Sequence, residues 1–138
     1  MDLDELRETF AFFDDWEDKY RFVIDLGKDL PALPEAMRSE ENLVRGCQSQ
    51  VWLYHALDEH GRLQLSMDSD AHIVRGLISI VLLAYQDRTP QETLAFDIDE
   101  LFGELDLLSH LSPTRGNGLT AMIGKIRASA GSYLAADT

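Results

Sequence analysis

Cysteine is the scarcest chemistry in this sequence: one residue, Cys47, in 138. A single thiol excludes an internal disulfide, and it excludes the sets of three or four thiolates that hold zinc or an iron-sulfur cluster. Positive charge is scarce as well. Twelve Lys and Arg stand against 25 Asp and Glu, for a formal charge of -13, so the clustered cations that phosphate contacts require have no source. Neither nucleic acid nor anionic membrane is expected as a partner. No apolar run approaches the roughly 20 residues of a membrane span. The start, Met1-Asp2-Leu3-Asp4-Glu5, is acidic where a secretory signal is basic and then apolar, and the expectation is a cytoplasmic protein. Internal repeats and low-complexity tracts are lacking, and the length fits one domain over residues 1–138 that buries about two-thirds of its unfolded surface.

Helices and one hairpin account for most of what is present. Leu3, Leu6, Phe10 and Phe13 recur at helical spacing, and after Asp14-Asp15 a second series, Trp16, Tyr20, Val23 and Ile24, runs to Leu26-Gly27. Asp14 or Asp15 supplies the second cap and Gly27 a left-handed stop. Leu30-Pro31-Ala32-Leu33-Pro34 cannot continue a helix and reads as a connector, followed by a short turn over Pro34 to Arg38. Asn42 to Arg45 reads as a first strand. Val51–Leu57 and Leu63–Met67, separated by the turn-forming cluster Asp58 to Arg62, read as a β-hairpin whose alternation leaves one face to be covered by helices.

Asp68-Ser69-Asp70 then offers capping oxygens to a buried helix over Ile73–Tyr85, with Gly76 permitting close approach of a neighbour. Thr89-Pro90-Gln91-Glu92 is a capping box with proline at the first helical position. Asp97 to Gly103 reads as another short helix, Leu105 to Leu111 as irregular, Ser112 to Gly118 as a loop by composition, and Leu119–Leu134 as an amphipathic terminal helix.

Cys47 stands between Gly46 and the polar triplet Gln48-Ser49-Gln50, immediately before the first hairpin strand. A free cysteine is most often a buried small hydrophobe. Polar or small neighbours on both sides argue instead for a thiol on a tight loop where glycine allows a sharp bend. The residues alone leave both readings open.

The block Asn42-Leu43-Val44-Arg45-Gly46-Cys47-Gln48-Ser49-Gln50-Val51-Trp52 resembles the signature of the SufE family of sulfur-acceptor proteins. Leu30 to Pro34, Asp68 to Leu77 and Leu111 to Leu119 resemble the family's other blocks, in the family's order. The resemblance implies an α+β fold of the SufE/IscU-like kind, a small antiparallel sheet packed against helices with Cys47 on a loop at one sheet end. It implies that Cys47 takes persulfide sulfur from a PLP-dependent cysteine desulfurase, stimulates that enzyme and delivers the sulfur to an iron-sulfur cluster scaffold. PLP then belongs to the partner and this chain carries no cofactor; a homodimer stays open. The alternative is an allosteric desulfurase partner whose cysteine is buried and inert.

Sulfur transfer needs a thiolate that attacks the outer sulfur of a donor persulfide, and then shelter from small thiols. Arg115 lies in a matching block, and a cation near Cys47 would lower its pKa and favour the anion. Arg45 is nearer in sequence but free to point away. Asp70 either caps the following helix or hydrogen-bonds the cysteine loop, and Gln48 and Ser49 are expected to hold that loop through side-chain bonds to backbone. His72 stands where the family usually has a small or apolar residue and is given no catalytic role. A Cys-His hydrolase built on His55, His60, His72 or His110 is the remaining alternative, although none lies in a motif that needs it. No metal-ligand spacing is recognised.

Overall fold

A computed structural model describes residues 1–136. Two helices open the chain, α1 (Leu3–Phe12) and α2 (Trp16–Lys28), each started by an aspartate: the Asp2 carboxylate accepts from the Glu5 amide and the Asp15 carboxylate from that of Asp18. The connector and two short 3-10 turns, Glu35–Met37 and Glu40–Asn42, lead to the hairpin of β1 (Val51–Leu57) and β2 (Leu63–Ser69). The strands are antiparallel, with Val51 opposite Ser69 and Leu57 opposite Leu63. Then follow α3 (His72–Tyr85), α4 (Pro90–Ala95), α5 (Ile98–Leu105) and α6 (Pro113–Ala136). Among the described residues the sheet has two strands and is covered by helices, the expected α+β arrangement.

The hydrophobic pattern builds one core. Val51 and Leu53 of β1 and Leu63, Leu65 and Met67 of β2 turn their side chains into it, where they meet Leu77, Ile78 and Val81 of α3 and Leu119, Met122 and Ile126 of α6. Helix α3 is buried along most of its length, and α2 packs across it at very short range. A methyl group built on Gly76 would lie 2.0 Å from the Val23 carbonyl oxygen, and one on Gly27 would lie 2.7 Å from the Gly76 nitrogen. The expected close approach at Gly76 is therefore present. Gly27 was expected to stop α2 in a left-handed conformation; it lies inside the helix instead, and its missing side chain serves the contact with α3.

Three further expectations change. Asn42 to Arg45 forms no strand: a single bridge joins Leu43 to Trp52, because the chain turns away at Gly46. Asp68, Ser69 and Asp70 do not cap α3, whose N-cap is Ala71 without a side-chain bond. Asp68 is fully buried and its carboxylate joins three segments, accepting from the Leu33 amide at 3.0 Å, the Ser69 amide at 2.8 Å, Arg38 at 2.7 Å and Arg75. Arg75 also donates to the Leu30 carbonyl at 2.6 Å, fastening the proline connector to α3. Finally, Ser112 to Gly118 is not a loop. Helix α6 already begins at Pro113, where Ser112 accepts from the Arg115 amide and proline at the first helical position needs no donor.

Candidate functional site

The Cys47 loop is a closed excursion from the hairpin. The Val44 amide donates to the Val51 carbonyl at 2.8 Å, pinning the two ends, and residues 45–50 bulge between them. Gly46 makes the bend at a φ of +93°, a conformation that side chains strain. The C-terminal half of the loop is tied to the end of β2. The Gln50 amide donates to the Asp70 carboxylate at 3.0 Å, while the Gln50 carbonyl accepts from the Ser69 hydroxyl at 2.7 Å and the Asp70 amide at 3.3 Å.

Asp70 therefore holds the cysteine loop rather than a helix end. Gln48 and Ser49 make no side-chain hydrogen bond among the described residues, so the anchoring expected of them is supplied by Ser69 and Asp70.

The thiol itself faces the start of α6. Cys47 Sγ lies 3.5 Å from the Gly118 carbonyl, a distance open to a weak S–H donor, and a methyl group at Gly118 would approach Sγ to 3.4 Å. Gly118 is thus the place where a helix lets the loop sit against it. Cys47 is half-buried, and burial pushes its thiol up from the usual range.

Beside it opens a cavity of about 260 Å³. Its apolar side is Val51, Val74, Leu77 and Met122, and its polar side carries Ser49, Ser112, Thr114 and Arg115. Of the residues picked out from the sequence, Cys47, Gln48, Ser49 and Arg115 come together on this wall, Gly46 shapes the bend, and Asp70 supports the loop from behind.

Arg115 donates to the Tyr20 hydroxyl at 3.1 Å, and no carboxylate pairs with it among the described residues, although the chain is strongly acidic. Arg45 points away, to Glu40 at 3.3 Å. Among the described residues no histidine lies on the cavity wall. His55 meets the Tyr133 hydroxyl at 2.8 Å and His110 stacks on Trp16, so the hydrolase alternative finds no imidazole beside the thiol. Sequence reading missed Ser69, Tyr20 and Gly118. Gly118 and Ser69 left a trace, each lying in a block already singled out, Ser69 as a capping oxygen, whereas Tyr20 read only as part of a helical stripe. Ser112-Pro113, a cap followed by a helix-starting proline, was the overlooked sign that this block is helical.

The sequence profile described as "SufE: Fe-S metabolism associated domain" matches residues 4–130. The chain belongs to the SufE family. An uncharacterized SufE-like protein of Rhizobium meliloti is 48% identical over 131 residues, covering 93% of this chain and 94% of its own. Another, from Rhizobium etli, is 48% identical over 128 residues, covering 91% and 86%. The solution structure of a hypothetical protein from Thermus thermophilus superposes with a TM-score of 0.76 at 18% identity, covering 96% of each chain, which shows the shared fold. SufE membership associates the chain with iron-sulfur metabolism, and no helix among the described residues is long and apolar enough to cross a membrane.

Proposed function

We propose that this SufE-family chain accepts sulfane sulfur on Cys47 from the persulfide of a PLP-dependent cysteine desulfurase, stimulates that enzyme, and delivers the sulfur to an iron-sulfur cluster scaffold in the cytoplasm. The observation that carries the reading is the chain's one thiol, half-buried on a pinned glycine loop and facing a cavity with a cationic residue on its wall. In the transfer the Cys47 thiolate attacks the outer sulfur of the donor persulfide. The donor's S–S bond breaks, its cysteine leaves as the thiolate, and Cys47 now bears the persulfide.

Shelter and reactivity are separated in this arrangement. At rest, burial keeps Cys47 protonated and slow to react, which protects it from casual oxidation. Docking of the desulfurase must turn the thiol outward, where it ionises; folding back places the new persulfide against the apolar wall of the cavity. Arg115 is assigned the stabilisation of the anionic thiolate or persulfide in the open loop, since it is the cation on that wall. With no second cysteine in the chain to discharge the persulfide as a disulfide, Cys47 is suited to carrying it.

Half-burial and the raised thiol are also what an allosteric stimulator with an inert cysteine would have, and one variant separates the two. Cys47→Ser is expected to bind the desulfurase but to lose nearly all stimulation of cysteine turnover. Stimulation retained by the serine variant would replace transfer with allostery.

A further inference from the structure

The cation on the cavity wall is held differently from the chain's ion-paired arginines. Arg7, Arg21, Arg38, Arg45 and Arg75 each pair with a carboxylate. Arg115 meets a phenol instead: its guanidinium donates to the Tyr20 hydroxyl at 3.1 Å. A carboxylate would cancel much of the charge that an arginine brings to a site, whereas a neutral acceptor fixes the group and leaves its charge whole. Among the described residues lining the cavity, Arg115 is the one that carries charge.

The place of Arg115 in its helix makes the same point. It lies in the first turn of α6, where the helix dipole favours an acid. Helices α1, α2, α4 and α5 each place an acidic residue there and α6 places none. A cation in that turn works against the helix, so its position serves the cavity that it faces. The Ser112 hydroxyl accepts from the Arg115 amide at 3.3 Å and fixes the backbone, but the long stem beyond it still has many rotamers to visit.

Tyr20 is placed to limit them. Its ring, one turn after Trp16 on α2, packs against the core, so the hydroxyl at its tip is a fixed point presented by a helix 95 residues away in sequence. The neighbouring cations are engaged elsewhere. Lys19 lies over the Trp16 ring at 5.1 Å, Lys125 donates to the Leu43 carbonyl at 3.4 Å, and Arg45 pairs with Glu40.

We propose that Tyr20 is a positioning residue for sulfur transfer: its hydroxyl holds the Arg115 guanidinium at the cavity wall as an uncancelled cation, ready for the anionic sulfur of Cys47. This rests on the acceptor reading given above. Tyr20 does not itself line the cavity; it acts through Arg115, by narrowing the positions that the guanidinium visits.

The test is a double-mutant cycle on the free protein. The rate of Cys47 alkylation by iodoacetamide is measured against pH for wild type, Tyr20→Phe, Arg115→Ala and the double variant. Phenylalanine keeps the packed ring and removes only the acceptor, so the circular dichroism and urea unfolding of Tyr20→Phe should match those of wild type. The expected result is alkylation about threefold slower at pH 7 in Tyr20→Phe, with the profile displaced to higher pH, because a less well-placed cation stabilises the thiolate less. In the Arg115→Ala background the same change should have no effect. A Tyr20→Phe profile coincident with that of wild type overturns the proposal, and so does an equal slowing with and without Arg115, which would give Tyr20 a role apart from it. Neither result touches the acceptor reading, which is decided separately by the mass that Cys47 gains from a PLP-dependent cysteine desulfurase and cysteine. A wild type that gains no sulfur there overturns that reading and the proposal resting on it.

Discussion

Cys47 is governed by three glycine-scale details: the bend at Gly46, the carbonyl and bare Cα of Gly118, and the burial they impose. Burial disfavours the thiolate, so the folded protein should alkylate slowly at pH 7 to 8, with a rate-pH profile displaced to higher pH than that of the same thiol in urea. Iodoacetamide labelling followed by mass spectrometry reads this directly, and coincident folded and unfolded profiles would contradict it. Arg115→Ala should move the profile further in the same direction, because removing a cation raises a thiol's pKa; an unmoved profile removes Arg115 from the chemistry. Polar neighbours on both sides of Cys47 argued against a core strand but left the buried reading open, and it was the resemblance of its block to the SufE signature that singled the residue out. The sequence left Asp70's task open between a helix cap and a bond to the cysteine loop. A short acid before a helix reads as a cap, and only the return of β2 alongside the loop puts its carboxylate on the Gln50 amide.

Among the elements, α3 sets the geometry to which the rest conforms. Its contact with α2 at Gly76 leaves no space for a methyl group, so Gly76→Ala must push the helices apart, a cost of about 3 kcal/mol on the overpacking scale. Urea unfolding should show that loss, and a stability within about 0.5 kcal/mol of wild type, the range of a neutral surface change, would mean the contact is looser than described. Asp68 fastens β2, the connector and α3 together. Burial opposes its charge, but the Leu33 and Ser69 amides and the Arg75 and Arg38 guanidinium groups outweigh that and hold the carboxyl below its usual value. A depressed folded pKa contributes stability that is complete above the ordinary carboxylate range near 4, and that contribution is lost as pH falls through the lower folded value. Wild type should therefore lose stability steeply below about pH 4, whereas Asp68→Asn, already weakened at pH 7 by leaving Arg75 without its partner, should lose less on further acidification; parallel acid titrations of the two would contradict the assignment. The hairpin, α4 with its capping box and the buried α3 were readable because periodicity and caps act locally. The start of α6 was not, since Gly116 and Gly118 lower helix propensity while Ser112, Pro113 and packing against the core override them.

For the whole molecule, composition decides what the surface can meet. A chain of charge -13 is poorly suited to meet a polyanion, and the proposed acceptor role asks it to present its one thiol to a protein partner instead. The α+β fold and membership of an iron-sulfur metabolism family were reached from four sequence blocks, three of which the structure gathers round one cavity: the cysteine block forms its loop, the Asp68 to Leu77 block its anchor and floor, and the Leu111 to Leu119 block its polar wall. The Leu30 to Pro34 block lies off the cavity, fastened to Asp68 and Arg75. How these blocks face one another was beyond sequence reading, because it depends on the long-range packing of α6 against β1 and α3. The central claim is that Cys47 receives sulfur. Intact mass measured after incubation with a PLP-dependent cysteine desulfurase and cysteine, with Cys47→Ser alongside, tests it most directly. The expected result is a gain of one sulfur atom on wild type alone, removed by reductant; binding without any gain, or an equal gain on the serine variant, rules out Cys47 as the acceptor.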